Sequence, residues 1–199
     1  MPVKRFIDLV LVIATAPIWL PLLLLLALVV RVKLGQPVFF RQPRPGRHGQ
    51  IFNLVKFRTM TDALGPGGEL LPDQERLVPF GRWLRSTSLD ELPEFFNVLL
   101  GNMSLVGPRP LMVEYLALYD ANQARRHDVL PGVTGWAQIN GRNAISWEER
   151  LAMDTWYVEH QTIRLDLSIL ARTVGYVLRR SGVSHDGHDT MPRFTGSKS

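Results

Sequence analysis

The sequence has no cysteine. That excludes disulfide staples and thiolate metal sites. Histidine is scarce. His185 and His188 stand close together in a polar tail without further ligands nearby, and they read as solvated side chains rather than a metal site. Acidic residues are outnumbered, 18 against 23 basic ones, which leaves a net charge of +5. A chain short of negative charge seeks an anionic partner: nucleic acid, anionic lipid headgroups or a phosphorylated substrate. The basic residues are scattered and no nucleic-acid-binding motif is present, which argues against nucleic acid. There is no internal repeat and no linker long enough to divide two domains. At 199 residues the chain can hold one domain with a substantial core.

What the sequence does contain, near its start, is a long hydrophobic run. Residues 9–30 are almost wholly apolar. As one straight helix they would reach roughly 33 Å, enough to cross the hydrocarbon of a bilayer. A cleaved signal is disfavoured, because Arg31 and Lys33 follow the run where a small-residue cleavage site would stand. Lys4 and Arg5 precede it. Cations at both flanks favour placing both ends on the cytoplasmic side. Pro17 and Pro21 remove backbone donors in the middle and predict a sharp bend there. A re-entrant hairpin that enters one leaflet and returns satisfies both features. A spanning helix stays open, since prolines are tolerated in such segments. Asp8, at the edge of the run, is expected to pair with a nearby cation such as Arg5.

The remainder reads as a mixed α+β domain, mostly α. Residues 36–41 and 51–57 alternate as the strands of a β-hairpin, with turn-forming residues between them from Pro43 to Gly49. A short helix over 74–85 is expected to break near Pro79 or Gly81. Residues 92–100 read as a buried helix, with Pro93 in its first turn and Gly101 at its end. Residues 111–129 read as a longer amphipathic helix, with Arg125, Arg126 and His127 set against its C-terminal dipole. Residues 132–142 are glycine-rich and anchored by Trp136. Ser146 with Glu149 has the form of a capping box, and 165–180 reads as a last amphipathic helix. Aromatic and basic residues recur together, as in Trp83 with Arg82 and Arg85, and Trp156 and Tyr157 near Arg164. These are either core aromatics beside solvated charges or interfacial helices lying on a membrane.

Adjacent carboxylates Asp90 and Glu91 precede Pro93, and Arg109 stands between Pro108 and Pro110. An acidic pair at a helix start is most often only a favourable partner for the macrodipole. With a supply of arginine and a membrane segment, however, phosphoryl chemistry is the sharper reading. A carboxylate can attack phosphorus, while guanidinium groups neutralise the phosphate oxygens.

Several ordered stretches carry a resemblance to a known family. They are Lys4-Arg5 with Asp8, Lys56-Phe57-Arg58-Thr59-Met60, Ser88-Leu89-Asp90-Glu91-Leu92-Pro93, Leu105-Val106-Gly107-Pro108-Arg109-Pro110 and Pro131-Gly132-Val133-Thr134-Gly135-Trp136. Together they resemble the bacterial sugar transferases, the monotopic phosphoglycosyl transferases, in their small single-domain form. Residues 179–184 are most similar to the PglC-type enzymes, which use UDP-N,N′-diacetylbacillosamine in protein N-glycosylation.

The resemblance implies a re-entrant membrane helix over 1–34, a catalytic domain over 35–180 ringed by interfacial helices, and a polar tail over 181–199. It implies a monotopic protein on the cytoplasmic face of the bacterial inner membrane, with downstream glycosyltransferases as partners. Asp90 would attack the β-phosphorus of a UDP-sugar, release UMP and hold a covalent phosphosugar. Polyprenol (undecaprenyl) phosphate would then take the phosphosugar and begin a glycoconjugate. Glu91 completes the dyad. Asp90 would also bind Mg²⁺. Lys56, Arg85 and Arg109 would hold phosphates, and Arg142 and Asn143 would lie near the nucleotide or sugar. The family's helix break commonly reads Ser-Pro, whereas Leu20 precedes Pro21, so no serine hydroxyl is expected to support this bend. Two other readings remain: the same reaction through a ternary complex with Asp90 as base, and a non-catalytic membrane scaffold.

Overall fold

The computed structural model describes residues 2–141, 145–179 and 193–196. Arg142, Asn143, His185, His188 and residues 180–184 lie outside them.

Two helices open the chain, α1 (Pro2–Ala14) and α2 (Ala16–Leu34). The interruption between them falls at Thr15, upstream of the bend expected at Pro17 and Pro21. Pro17 sits in the first turn of α2, where a missing N–H costs little, and Pro21 lies inside α2, which continues to Leu34. No serine hydroxyl stands before Pro21, and the side-chain donors lie at the Thr15 break instead. Thr15 Oγ1 donates to Leu11 O at 2.7 Å, and the Trp19 indole donates to Val12 O at 2.9 Å. Side chains thereby serve carbonyls at the end of α1.

α2 buries Trp19, Leu23, Leu26, Val30 and Leu34 along one stripe. Ile18, Leu24, Leu25, Leu28 and Val32 are exposed on its other side, as are Phe6 and Ile13 on α1. Among the described residues α2 is the one helix long and apolar enough to cross a membrane. Yet both ends of the helical pair are fixed to the same body. Lys4 Nζ lies 2.7 Å from Asp166 Oδ2. Arg5 donates to the carbonyls of Val98 and Leu99, while Arg58 donates to Leu34 O and Gln36 O. Asp8 does not pair with Arg5. Its carboxylate accepts from Ser104 Oγ at 2.7 Å and from the Leu105 N–H, so this buried charge is met by donors of the domain.

β1 (Phe39–Pro45) pairs antiparallel with β2 (Ile51–Phe57), from Phe39 opposite Phe57 to Pro45 opposite Ile51. β2 has its expected bounds, but β1 runs on through Pro43 and Pro45. Gly46 N–H bonds Gln50 O and Arg58 N–H bonds Val38 O, so the even-numbered residues of β1 carry the ladder. Pro43 and Pro45 have the opposite parity, and their missing donors fall on the free edge. Asn97 knits the far edge of β2 to the body. It accepts from Val55 N–H at 3.0 Å and donates to Asn53 O at 2.8 Å.

α3 (Asp73–Arg76) and α4 (Pro79–Ser86) are separated at Leu77 and Val78. The break expected near Pro79 falls at those two residues, and Pro79 takes the first position of α4. Ser88 adopts the left-handed region, φ 56°. It turns the chain into a single 3-10 turn at Leu89–Glu91, and α5 (Glu94–Leu100) follows. β3 (Ser104–Val106) pairs parallel with β4 (Gly132–Thr134), a contact not anticipated from sequence. Between them the long helix expected over 111–129 is broken up. A 3-10 stretch at Val113–Leu118 precedes α6 (Ala121–Ala124), and a 3-10 turn at Arg125–His127 follows it. The reason is Asp120, whose side chain accepts from Asn122 N–H and Gln123 N–H and starts a new helix with a capping box.

α7 (Trp136–Asn140), α8 (Trp147–His160) and α9 (Ile163–Arg179) complete the body. The Ser146–Glu149 capping box forms as read. Leu84, Val98, Met103, Tyr157 and Ile169 make a core that also includes Leu23, Leu26 and Val30 of α2. Tyr157 belongs to that core, its hydroxyl 2.6 Å from Asp166 Oδ1. Trp83 and Trp156 are exposed. Phe194 is buried against Tyr115, Tyr119 and Trp147.

Candidate active site

A cavity of about 720 Å³ opens between the hairpin, α4 and the 3-10 turn of the acidic pair. Lys56, Arg85, Asp90, Glu91 and Arg109 all line it. Five residues spread over more than fifty positions thus converge from four separate parts of the chain. Lys56 lies near the end of β2 and Arg85 near the end of α4. Asp90 and Glu91 occupy one helical turn held between the left-handed Ser88 and Pro93.

Arg109 is placed by backbone packing. Gly107 N–H bonds Thr134 O at 2.9 Å, and Gly132 N–H bonds Pro108 O at 3.0 Å. A Cβ at Gly107 or Gly132 would collide with the backbone opposite. The two glycines therefore allow the Gly-Pro-Arg-Pro segment to lie directly on the Pro-Gly-Val-Thr-Gly segment. A second support was missed from sequence. Arg126 Nη2 donates to Arg109 O at 2.7 Å, and its guanidinium pairs with Asp154 at 2.8 Å, with side chains only 1% and 3% exposed. Arg126 is a buried strut rather than a solvated helix-end charge. The available signal was Asp154 itself, an acid on the buried face of α8 with Leu151 and Tyr157.

The two members of the acidic pair differ sharply. Glu91 Oε1 accepts from Lys56 Nζ at 2.7 Å and from Arg109 Nη2. Burial alone would push its carboxyl up, but the two cations hold it well below the usual carboxylate range. Asp90 has no hydrogen-bond partner among the described residues, and it is 8% exposed. Burial, then the charge of Glu91, push it up to about 6 despite the opposing pull of Lys56, Arg109 and Arg85. Beneath them Glu94, 2% exposed, lies 3.1 Å from Lys56 Nζ. Burial pushes it up to about 7.

Arg85 Nε donates to Thr59 Oγ1 at 3.0 Å, a neutral partner, and Arg85 makes no ion pair among the described residues. Arg44 and Arg150 also line the cavity, and neither was singled out from sequence. No group of three or more His, Cys, Asp or Glu forms a ready metal cage among the described residues. A Mg²⁺ bound through one carboxylate and substrate phosphates needs no such cage, and the unpaired carboxylate of Asp90 fits that role.

The arrangement suits attack on an anionic phosphorus: one unpaired carboxylate, one neutralised carboxylate that fixes two cations, and further guanidinium groups around the cavity.

The family described as bacterial sugar transferase matches residues 1–180. The chain is 54% identical to an uncharacterized sugar transferase, EpsL, of Bacillus subtilis (strain 168), over 99% of this chain and 98% of that protein. It is 38% identical to an undecaprenyl-phosphate galactose phosphotransferase of Salmonella typhimurium, over 90% of this chain but 41% of that protein. It is 40% identical to an undecaprenyl-phosphate glucose phosphotransferase of Komagataeibacter xylinus, over 86% of this chain and 35% of that protein. The chain thus spans nearly all of the first relative and well under half of the other two.

Proposed function

The chain belongs to the bacterial sugar transferase family, and from that premise we propose that it moves a sugar 1-phosphate from a UDP-sugar to undecaprenyl phosphate, releasing UMP. The observation that carries this reading is the open carboxylate of Asp90 beside a Glu91 already neutralised by Lys56 and Arg109. In the proposed first half-reaction, a carboxylate oxygen of Asp90 bonds to the β-phosphorus. The bond from that phosphorus to the bridging oxygen breaks, and UMP leaves with the electron pair. Asp90 is then an acyl phosphosugar. In the second half, a phosphate oxygen of the polyprenol phosphate bonds to the same phosphorus, and the Asp90 carboxylate is regenerated.

Glu91 keeps Lys56 and Arg109 in place before substrate arrives. Arg109 can do this and still bind phosphate, because its guanidinium carries five donors. Asp90 would hold Mg²⁺, which when bound neutralises phosphate charge. The exposed apolar sides of α1 and α2, with both ends fixed to the body, support a re-entrant pair in one leaflet of the cytoplasmic membrane, the body on its cytoplasmic face.

The test is UMP release from a panel of UDP-sugars with undecaprenyl phosphate and Mg²⁺. The panel includes UDP-galactose and UDP-glucose, whose sugars are named for relatives, and the UDP-N,N′-diacetylbacillosamine suggested by sequence resemblance. Release with at least one donor that depends on the acceptor or on Asp90 supports the assignment. A scaffold would release none.

A further inference from the structure

The ion pairs around the acidic pair do not include Arg44, a cation on the cavity wall. Arg44 projects from β1 into the cavity, and its guanidinium makes one polar contact among the described residues, from Nη2 to the neutral Gln42 Oε1 at 2.6 Å. Its Nε is shut off from solvent and has no hydrogen-bond partner. A buried donor left unmade costs free energy, and one on a charged group costs more. No carboxylate lies within ion-pair distance of Arg44 among the described residues. Lys56 and Arg109 are bound to Glu91, Arg58 to Asp62, and Arg76 to Asp73. Burial, then the nearby charge of Arg109, weaken the hold of Arg44 on its proton, against a smaller opposing pull from Glu94. Arg44 and Arg109 thus act on each other as like charges across one cavity, and of the two only Arg109 is ion-paired. Such an arrangement destabilises the empty protein and favours an incoming anion.

Building on the proposed transferase reaction, we propose that Arg44 is a phosphate-binding residue of this cavity. It receives a phosphate oxygen on the Arg109 side, while Arg85 acts beside Asp90. A diphosphate ester brings two phosphoryl groups, and the wall offers two guanidinium groups with only neutral partners, Arg85 and Arg44. The phosphate on Arg44 is either the one that leaves with UMP or that of the polyprenol acceptor. The two sources share the chemistry and differ in kinetics.

The experiment compares Arg44→Gln and Arg44→Lys with the wild type as full-length protein in detergent. Inorganic pyrophosphate and UMP serve as calorimetric probes, with melting temperature and the two kcat/KM values as further readouts. The glutamine variant should bind pyrophosphate about tenfold more weakly, with a shallower salt dependence. Lysine should restore part of the loss. The melting temperature of the ligand-free protein should be unchanged or higher, because a repulsive charge has gone. A kcat/KM loss for UDP-sugar alone identifies the nucleotide's phosphate, and a loss for polyprenol phosphate alone identifies the lipid's. Unchanged pyrophosphate affinity with both kcat/KM values intact overturns the proposal. So does a lower melting temperature with unchanged anion affinity, which marks a structural arginine. Wild-type UMP release is measured in parallel. UMP release without any Arg44 effect removes this proposal alone. Arg44-dependent pyrophosphate binding without UMP release removes the transferase reading and leaves the anion site standing.

Discussion

Asp90 and Glu91 are neighbours in one 3-10 turn, yet Glu91 is bound to both Lys56 and Arg109 while Asp90 faces the cavity with no partner. The turn directs the two side chains into different surroundings, and that separates their roles.

The separation predicts opposite effects on stability. Asp90→Asn should abolish turnover, because an amide is not a competent nucleophile. It should also raise the melting temperature, since it removes a buried unpaired charge. Glu91→Gln should lower both activity and melting temperature, because Arg109 loses its ion-pair partner and Lys56 keeps only Glu94. With the Arg109 side chain 36% exposed, the cost is on the order of 1–3 kcal/mol. Thermal unfolding of the two variants beside the wild type, with UMP release, checks both signs.

The stability gain in Asp90→Asn should depend on pH. With the folded-state carboxyl pushed up to about 6 against an ordinary value of 3.8, the folded protein binds this proton more tightly than the unfolded chain does. The wild type therefore regains stability as pH falls through about 6 towards 4, and it bears the full cost above pH 6. That cost is on the order of 3 kcal/mol. Melting curves with divalent cations chelated should show the variant's advantage largest at pH 7 to 8 and shrinking towards pH 4.5. A constant advantage across that range would contradict the assignment.

Arg126 and Asp154 should act on catalysis at a distance. Asp154→Ala leaves a buried guanidinium unpaired and should cost about 3–5 kcal/mol of stability. At a temperature where the variant remains folded, kcat should fall more than KM rises, because Arg109 loses its backbone support. An unchanged kcat in folded protein would limit the pair to a structural role.

Much of this was legible in the sequence where the signal is local. The return strand of the hairpin, the Ser146 capping box and the Gly101 helix stop each rest on a few consecutive residues. The misread parts depend on residues far away. A three-residue strand such as β3 has no period to detect, and its partner β4 lies more than twenty residues on. Arg126 looked like a helix-end charge because Asp154, 28 positions away, was not visible as its partner. The long helix over 111–129 was read through Asp120 because apolar spacing was weighed above a capping residue within it. Arg44, among Pro43, Pro45 and Gly46, has the local signature of a turn residue. Its place on the cavity wall follows from the strand continuing through Pro43 and Pro45.

The membrane arrangement is testable without background labelling, because the chain has no native cysteine. Pro2→Cys and Glu75→Cys, at exposed positions in α1 and α3, should both react with an impermeant reagent from the cytoplasmic side. Reaction from opposite faces would establish a spanning segment. Replacing Thr15, Pro17 and Pro21 together with leucine should shift the Pro2 label towards the far side, because the break at Thr15 and its hydroxyl support are removed.

Covalent bonding of Asp90 to phosphorus is open to direct trapping. Wild-type protein is mixed with its UDP-sugar and Mg²⁺ without acceptor, quenched, digested and weighed by mass spectrometry. The peptide containing Asp90 should gain the mass of a sugar phosphate, in step with one equivalent of UMP. The adduct should disappear on adding undecaprenyl phosphate, and it should be absent from Asp90→Asn. Full turnover with acceptor, but no adduct on that peptide under conditions in which acyl phosphates survive, would contradict the account and favour a ternary complex with Asp90 as base.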